Sequence, residues 1–360
     1  MPARVFNFSP GPATLPQEVL QQAAKDIVNY NNSGIGLIEM SHRSKDFIAV
    51  TDETERLLRE MMDIPANYKV LFLQGGASTQ FAMVPMNLLG PDKTATYLNT
   101  GTWSKNAIKE AKLIGKVDVA FDSEGTKFDR LPDNLDFSSA NDKEYLYFVS
   151  NNTIFGTQFH EFPKTKTTMI CDMSSDILSR PVDVSSFGII FAGAQKNMGT
   201  AGCTVVIIRD DLLDKAPASL PTMFKYKTHA DKGSMFNTPP CFGIYTVGLV
   251  LKWLKAQGGV PAITKINNTK AELVYQAIDA TDFYRGHAQK PYRSKMNITF
   301  NLPSPELEAQ FVKEALAKDL NGLKGHRSVG GIRASIYNAF PLEGVERLVE
   351  FMGDFAKQNS

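Results

Sequence analysis

Lys196 sits in the glycine-bounded segment Ala194-Gln-Lys-Asn-Met-Gly199, between two apolar runs, 188–191 and 204–208. Those runs read as buried strands, so the lysine occupies the turn that joins them. An ammonium partly desolvated near other positive charge loses proton affinity, and the neutral amine can then attack an aldehyde to form a Schiff base. A solvated loop lysine can have the same local sequence, and the motif alone does not separate the two. The accompanying residues do. Asp172 closes another apolar run, Met169-Ile-Cys171, 24 residues before Lys196, about one strand and its crossover. Trp103, Thr153 and the segment Gly75-Gly-Ala-Ser78 each follow a further apolar run. The set combines an amine, a carboxylate, an aromatic plane, a hydroxyl and a glycine turn whose backbone N–H groups can approach a phosphate.

The elements that must position this set follow from the periodicity. Phe6-Asn-Phe-Ser-Pro-Gly-Pro12 reads as an extended, proline-stiffened arm. Thr14-Leu-Pro-Gln17 has the pattern of a capping box and predicts a helix with Val19, Ala23 and Ile27 on one face. Ser44 is expected to cap a long helix with Phe47, Val50, Leu57, Leu58 and Met61 inward. His42 and Arg43 then lie just ahead of a helix N-terminus, which favours anions.

Strands are predicted at 69–73, 94–98, 145–149 and 169–171, with helical segments between most of them. The first passes into a helix through Gly75-Gly76, where Ser78 or Thr79 adds a hydroxyl; the pattern is not G-x-G-x-x-G, so a dinucleotide fingerprint is absent. This order predicts a mainly parallel sheet covered on both faces, with ligands beyond the carboxyl ends of the strands. Segment 216–241 has little apolar period. After it the spacing predicts a helix carrying Tyr245, Leu249 and Trp253, then a second over about 262–280. Strands at 297–302 and 331–336, and helices opened by Ser304-Pro-Glu and Pro341-Leu-Glu, make a smaller unit; the last helix carries Val345, Leu348, Val349, Met352 and Ala356 inward. The expected organisation is a large domain over 15–260 and a small domain from 1–14 and 261–360.

The bulk composition narrows the partners. The chain has 360 residues, 43% hydrophobic and 21% charged, ordinary for a globular protein and long enough for two domains. Lys plus Arg number 39 against 38 for Asp plus Glu, a formal charge of +1, so no global field recruits nucleic acid or an anionic membrane. No apolar run approaches the roughly 20 residues that span a bilayer, and the N-terminus has no signal-like apolar region, so the expected compartment is the cytoplasm. Cys171, Cys203 and Cys241 are widely spaced, with no metal-ligand pattern, and no metal is expected.

Singly, Trp103 could be a core aromatic, Asp172 a turn cap and Thr153 a turn hydroxyl. Jointly, at successive strand ends, they answer the needs of pyridoxal phosphate: a helix end for the phosphate, a plane for the pyridine, a carboxylate for its nitrogen and an amine for the aldehyde. With Ala194-Gln-Lys-Asn-Met-Gly, His42-Arg43 and Gly325-His-Arg-Ser-Val-Gly-Gly-Ile-Arg-Ala-Ser-Ile-Tyr-Asn338, the chain closely resembles the phosphoserine aminotransferases. These are a group of the class V pyridoxal-phosphate-dependent aminotransferases with the aspartate-aminotransferase-like, type I α/β fold. The likeness runs from the Phe-Ser-Pro-Gly-Pro arm to Asn338 and covers nearly the whole chain.

The resemblance implies Lys196 as the Schiff-base lysine, Asp172 at the pyridinium nitrogen, Trp103 stacked on the ring and Thr153 beside the ring hydroxyl. It implies Gly76, Ala77, Ser78, Ser174 and Gln195 around the cofactor phosphate, with Asn237 and Thr238 reaching the phosphate of a neighbouring subunit in a homodimer with shared sites. It places His42, Arg43, His326 and Arg327 at the substrate phosphate and Arg333 at the α-carboxylate. The implied couple is O-phospho-L-serine plus 2-oxoglutarate with 3-phosphohydroxypyruvate plus glutamate, and 4-phosphooxy-L-threonine is a further expected substrate. Basic contacts suit a polyanionic acid, because a guanidinium grips a carboxylate through two parallel hydrogen bonds.

Two residues depart from the family pattern. Ala77 stands where many members have an arginine that helps hold the substrate phosphate, so the histidines and other arginines are expected to carry that grip. Thr200 stands where proline is common, and is expected to alter loop stiffness rather than chemistry. Three other readings predict different behaviour. A cysteine desulfurase needs a mobile nucleophilic thiol, for which only Cys241 lies outside the predicted strands, behind Pro239-Pro240. A cofactor carrier would never convert with an amino donor. A transaminase of serine or alanine with glyoxylate would not need His326-Arg327.

Overall fold

The computed structural model describes residues 4–359. Twelve strands occur among them: β1 Phe6–Asn7, β2 Tyr68–Leu73, β3 Thr94–Asn99, β4 Lys116–Asp122, β5 Leu146–Val149, β6 Met169–Asp172, β7 Ile189–Gly193, β8 Thr204–Arg209, β9 Arg285–Gly286, β10 Asn297–Asn301, β11 Leu320–Asn321 and β12 Ile332–Ser335. The α-helices are α1 Gln17–Val28, α2 Lys45–Met62, α3 Gly76–Leu88, α4 Thr102–Ala111, α5 Tyr226–Ala230, α6 Cys241–Ala256, α7 Gly259–Asp279, α8 Pro305–Ala317 and α9 Leu342–Asn359.

The large sheet has seven strands in the order β2-β8-β7-β6-β5-β3-β4. Only β8 runs against its neighbours; the pairs from β7 through β4 are parallel. Alternation along each strand divides its side chains between two cores. Val70 and Phe72 of β2, with Val205 and Ile207 of β8, enter the core that includes α2 and α6. Leu71 and Leu73, with Val206 and Ile208, enter the core that includes α3 and α4. Because β2 and β3 through β7 share one direction, the residues that follow them all emerge at one edge of the sheet.

A third core joins α7, α8 and α9 to the sheet β12-β10-β9, and Phe8 of the N-terminal arm is fully buried in it. The arm also pairs in parallel through β1 with β11, so the segment expected as an extended arm makes a two-residue strand.

Three local expectations change. Thr14 does not cap α1: its hydroxyl donates to the Asn7 carbonyl at 2.7 Å, tying the arm back on itself, and α1 starts after Pro16 without a side-chain cap. Helix α7 begins at Gly259 rather than near 262, because Gly258, at φ +92°, makes the reversal from α6 that the glycine pair permits. Strand β4 has no counterpart in the sequence reading; it is an edge strand whose side chains are mostly exposed, so no alternating pattern marks it. Ser44 does cap α2, accepting from Phe47 N–H at 3.2 Å. No helix among the described residues is long and apolar enough to cross a membrane.

Candidate active site

The edge beyond the strands gathers Gly75-Gly76 after β2, Trp103 after β3, Thr153 after β5, Asp172 at the end of β6 and Lys196 after β7. Lys196 Nζ donates to Thr153 Oγ1 at 2.7 Å and lies 5.5 Å from the centre of the Trp103 ring. Burial pushes its amine down to about 8; Asp172 pulls the other way, and the Arg333 guanidinium adds to the depression. The turn expected from sequence is therefore a turn that lowers the proton affinity of its lysine.

Neighbours on every side define the lysine's position. The Ala13 N–H donates to the Gln195 carbonyl at 2.9 Å, laying the N-terminal arm along the turn. A Cβ on Gly11, which has φ +146°, would stand 3.2 Å from Lys196 Cγ. On the far side, Asn197 accepts from the Asn338 N–H at 2.9 Å and donates to the Ile177 carbonyl at 2.5 Å.

The other members are equally fixed. Asp172 is buried and accepts from the Ser174 N–H at 2.9 Å; burial raises its pKa while Lys196 lowers it. The Ser174 hydroxyl accepts from Gly193 N–H at 3.0 Å, so it braces β7. Thr153 is held by Asn152, whose amide donates to the Thr100 carbonyl at 2.6 Å and accepts from the N–H groups of Ile154 and Phe155. That bond joins the Thr153 loop to the start of α4, which carries Trp103. Trp103 packs with Phe128, Ile154, Phe155 and Val329, and its indole N–H has no partner. Its ring is therefore placed by packing rather than by a hydrogen bond.

Arg333, on β12, is 7% exposed and donates to the Thr153 carbonyl at 3.2 Å, while its Nε has no partner. A buried guanidinium with an open donor and no carboxylate beside it is prepared for an anionic group. His326 lies toward it: burial, then the charges of Arg333 and Arg327, push the imidazole down. Its Nδ1 is shared with Ser328 Oγ at 2.7 Å, and Arg327 is exposed.

Helix α3 opens with Gly75 at φ +92°, where a Cβ would fall 2.0 Å from Thr79 Oγ1, and it has no side-chain cap. Its first N–H groups are thus open to an anion. Thr79 turns back to the Gly75 carbonyl at 3.0 Å, whereas Ser78 is exposed, which distinguishes the two hydroxyls of this turn. Gln195 folds back over Gly193, 2.7 Å from where a Cβ would sit. The Thr238 carbonyl accepts from Gln74 Nε2 at 2.8 Å, so the Asn237-Thr238 segment lies beside the α3 turn of its own chain.

His42 and Arg43 are not brought to this centre. Among the described residues, no hydrogen bond, ion pair or ring contact joins either of them to Lys196, Asp172, Trp103 or Arg333. They lie between the 3-10 turn Leu37–Glu39 and α2, on the α1 and α6 side, and His42 Nε2 is buried without a partner. The thiols are not activated. Burial pushes Cys203 up to about 12 and Cys171 well above its ordinary value, and it also raises Cys241, the first residue of α6. Sequence reasoning did not assign Gly11, Asn197, Tyr337 or Asn338 a place here. Asn197 and Asn338 do lie inside the two motifs that stood out.

These residues fit pyridoxal 5'-phosphate on structural grounds: an uncapped helix N-terminus, a half-buried amine of lowered proton affinity, an aromatic face near that amine and a buried carboxylate. Comparison with known proteins gives the same direction. The model of the family Aminotransferase class-V matches residues 5–348. The phosphoserine aminotransferase of Desulfotalea psychrophila is 66% identical over 359 residues, covering 100% of this chain and 99% of that protein. The solved phosphoserine aminotransferase of Bacillus circulans subsp. alkalophilus superposes with a TM-score of 0.96 at 50% identity, covering 99% of each chain. The PLP-bound phosphoserine aminotransferase of Trichomonas vaginalis does so with a TM-score of 0.89 at 38% identity, over 97% of this chain and 100% of that one.

Proposed function

The chain belongs to the class-V aminotransferase family and, within it, to the phosphoserine aminotransferases, and on that premise we propose how its own residues carry out the reaction. It is a pyridoxal-phosphate-dependent aminotransferase of fold type I. It transfers an amino group between glutamate and 3-phosphohydroxypyruvate, giving 2-oxoglutarate and O-phospho-L-serine, in either direction. The observation that carries the reading is the half-buried Lys196 amine, brought within reach of Thr153, Trp103 and Arg333 by separate strands.

Pyridoxal 5'-phosphate supplies an aldehyde that a primary amine can engage and a protonated ring that draws electrons from the adjoining carbon. Lys196 would hold the aldehyde and Asp172 the ring nitrogen, with Trp103 on the ring face and Thr153 at the ring hydroxyl. The start of α3, with Gly76, Ala77 and Ser78, would hold the phosphate together with Ser174 and Gln195. With the substrate's own amine at the aldehyde, Lys196 Nζ would be free to take the proton from the substrate Cα and would hold that proton until it is returned. An amine near 8 suits both directions, since it is neither permanently charged nor too weak a base at neutral pH.

Arg333 orients the substrate through its α-carboxylate, and His326 and Arg327 receive the phosphate. His42 and Arg43, which do not touch this centre in their own chain, serve the phosphate end from a second copy in a homodimer, where Asn237 and Thr238 also reach across. Exposed apolar side chains beside both segments support this pairing: Ile38 is 60% exposed and Phe236 is 41% exposed. The cytoplasm is the compartment we assign.

The arginines give the direct test. Arg333→Ala should raise KM for O-phosphoserine and for glutamate alike, by about 100-fold, the loss of two hydrogen bonds to a charged group. Arg327→Ala should raise KM for O-phosphoserine about 10-fold and several times more than for glutamate, because the dianion loses more. Steady-state kinetics on both substrates would check this. Equal effects of Arg327→Ala on the two would remove the phosphate assignment.

A further inference from the structure

Lys270 is fully buried on α7 and has no carboxylate partner among the described residues. Its Nζ donates to three backbone carbonyls, Ile336 at 3.0 Å, Tyr337 at 2.7 Å and Phe340 at 3.1 Å. Only the protonated form has three N–H donors, so the three carbonyls favour the ammonium, while burial pushes the amine down to about 7. A charge placed so deep without a counter-ion is a poor device for stability. Its effect is to fix the path of one turn, 336–340, by gathering three carbonyls on one point.

That turn leads to the reaction centre. Asn338, within it, donates its backbone N–H to Asn197 Oδ1 at 2.9 Å, and Asn197 is the residue after Lys196. Three consecutive carbonyls of the loop beyond Asp172 accept from three asparagine side chains: Ile177 from Asn197, Leu178 from Asn338 and Ser179 from Asn267. Leu178 holds φ +62° in this loop, a conformation that a leucine rarely adopts. Asn267, one turn before Lys270 on α7, also donates to Asn338 Oδ1 at 2.8 Å. Tyr337 donates its hydroxyl to the Pro10 carbonyl at 2.7 Å, next to the Gly11 that borders Lys196. One face of α7 thus locks the 336–340 turn, and that turn meets the Lys196 segment, the loop after Asp172 and the N-terminal arm together.

We propose that Lys270 is a positioning residue for Lys196, acting through the 336–340 turn and the Asn338–Asn197 hydrogen bond. This rests on the reading of Lys196 given above and extends it to a residue that touches neither substrate nor cofactor. An error of about 1 Å in a catalytic group can cost about 100-fold in rate. Loosening the turn should therefore act on turnover more than on substrate affinity, since Arg333, three residues ahead of the turn, is held separately by the β10–β12 ladder and the Thr153 carbonyl.

The test compares cofactor-loaded Lys270→Met, Asn267→Ala, Asn197→Ala and the Lys270→Met/Asn197→Ala pair with the parent protein, counting turnover per bound cofactor. Lys270→Met keeps the length of the side chain and removes the ammonium. The expected result is a fall in kcat of about 10- to 100-fold with KM for O-phosphoserine within about 2-fold. The pH midpoint of the cofactor's absorbance should also shift, and the amides of Met198 and Gly199, which donate to the Ala194 carbonyl, should exchange faster than those of the distant sheet. In the Asn197→Ala background, Lys270→Met should add less than about 2-fold, because the relay is already cut. A purely structural role predicts lower thermal stability with normal kcat per loaded site, an unmoved midpoint and independent effects in the pair; that outcome would overturn the proposal. If Lys270→Met does not fold, Asn267→Ala decides on the same kinetic, spectral and exchange readouts. Failure of the functional reading is distinct, since the parent protein would then not convert with O-phosphoserine at all.

Discussion

Lys196→Ala is expected to lower turnover by about 10⁴-fold or more and to abolish the covalent cofactor band, while the protein still folds. The alanine removes the amine that Thr153 and Trp103 surround and leaves in place the turn's other bonds, from Ala13 N–H to the Gln195 carbonyl and from Asn338 N–H to Asn197 Oδ1. Lys196→Arg is the sharper control. It keeps a positive charge near Asp172, but a guanidinium does not deprotonate in a protein and can neither attack an aldehyde nor take a proton. Both variants should therefore be inactive, and near-normal turnover in either would remove Lys196 from the chemistry. The amine's depressed proton affinity also fixes a pH dependence. The neutral form is the one that attacks, so capture of pyridoxal 5'-phosphate by the cofactor-free protein should accelerate as pH rises toward about 8 and level off above it. A midpoint near the 10.5 of an ordinary lysine would contradict the burial that sets it.

Asp172→Asn is expected to reduce kcat by about 10³-fold with little change in KM. Asp172 is buried, and its carboxylate is held by the Ser174 N–H. Burial raises its pKa, and the nearby Lys196 charge counters that rise. A protonated ring nitrogen opposite it would hold the carboxylate ionised, and the carboxylate would in turn hold that proton on the ring; a neutral amide does neither. The substitution is nearly isosteric and removes a buried charge, so the thermal midpoint should stay unchanged or rise. A loss below about 3-fold in kcat would place the essential negative charge elsewhere.

What could be read from the chain alone depended on how local the signal was. Lys196, Asp172, Trp103 and Thr153 each follow an apolar run, and a sheet in which nearly all strands share a direction must deliver such residues to one edge. Their joint position needed no knowledge of distant contacts. Asn197, Asn338 and Lys270 work through partners up to 160 residues away, and no spacing marks such pairs. A lysine on a helix reads as solvated, yet Lys270 is buried because three carbonyls of a turn need donors. Thr14 was misleading for the opposite reason: a complete local cap pattern lost its hydroxyl to the Asn7 carbonyl, a tertiary contact of the arm. His42 and Arg43 were legible as an anion-binding pair, but only the fold shows that, among the described residues, no bond joins them to the centre of their own chain.

Whether Lys196 and the basic residues around it serve a phosphorylated amino acid is decided by the absorbance of the cofactor-loaded protein during titration with O-phospho-L-serine, with L-glutamate and L-serine run in parallel. Conversion of the cofactor spectrum is expected with O-phosphoserine and with glutamate but not with serine, because Arg333 alone would not replace the phosphate contacts proposed for the two His-Arg pairs. Conversion by serine as readily as by O-phosphoserine would contradict it.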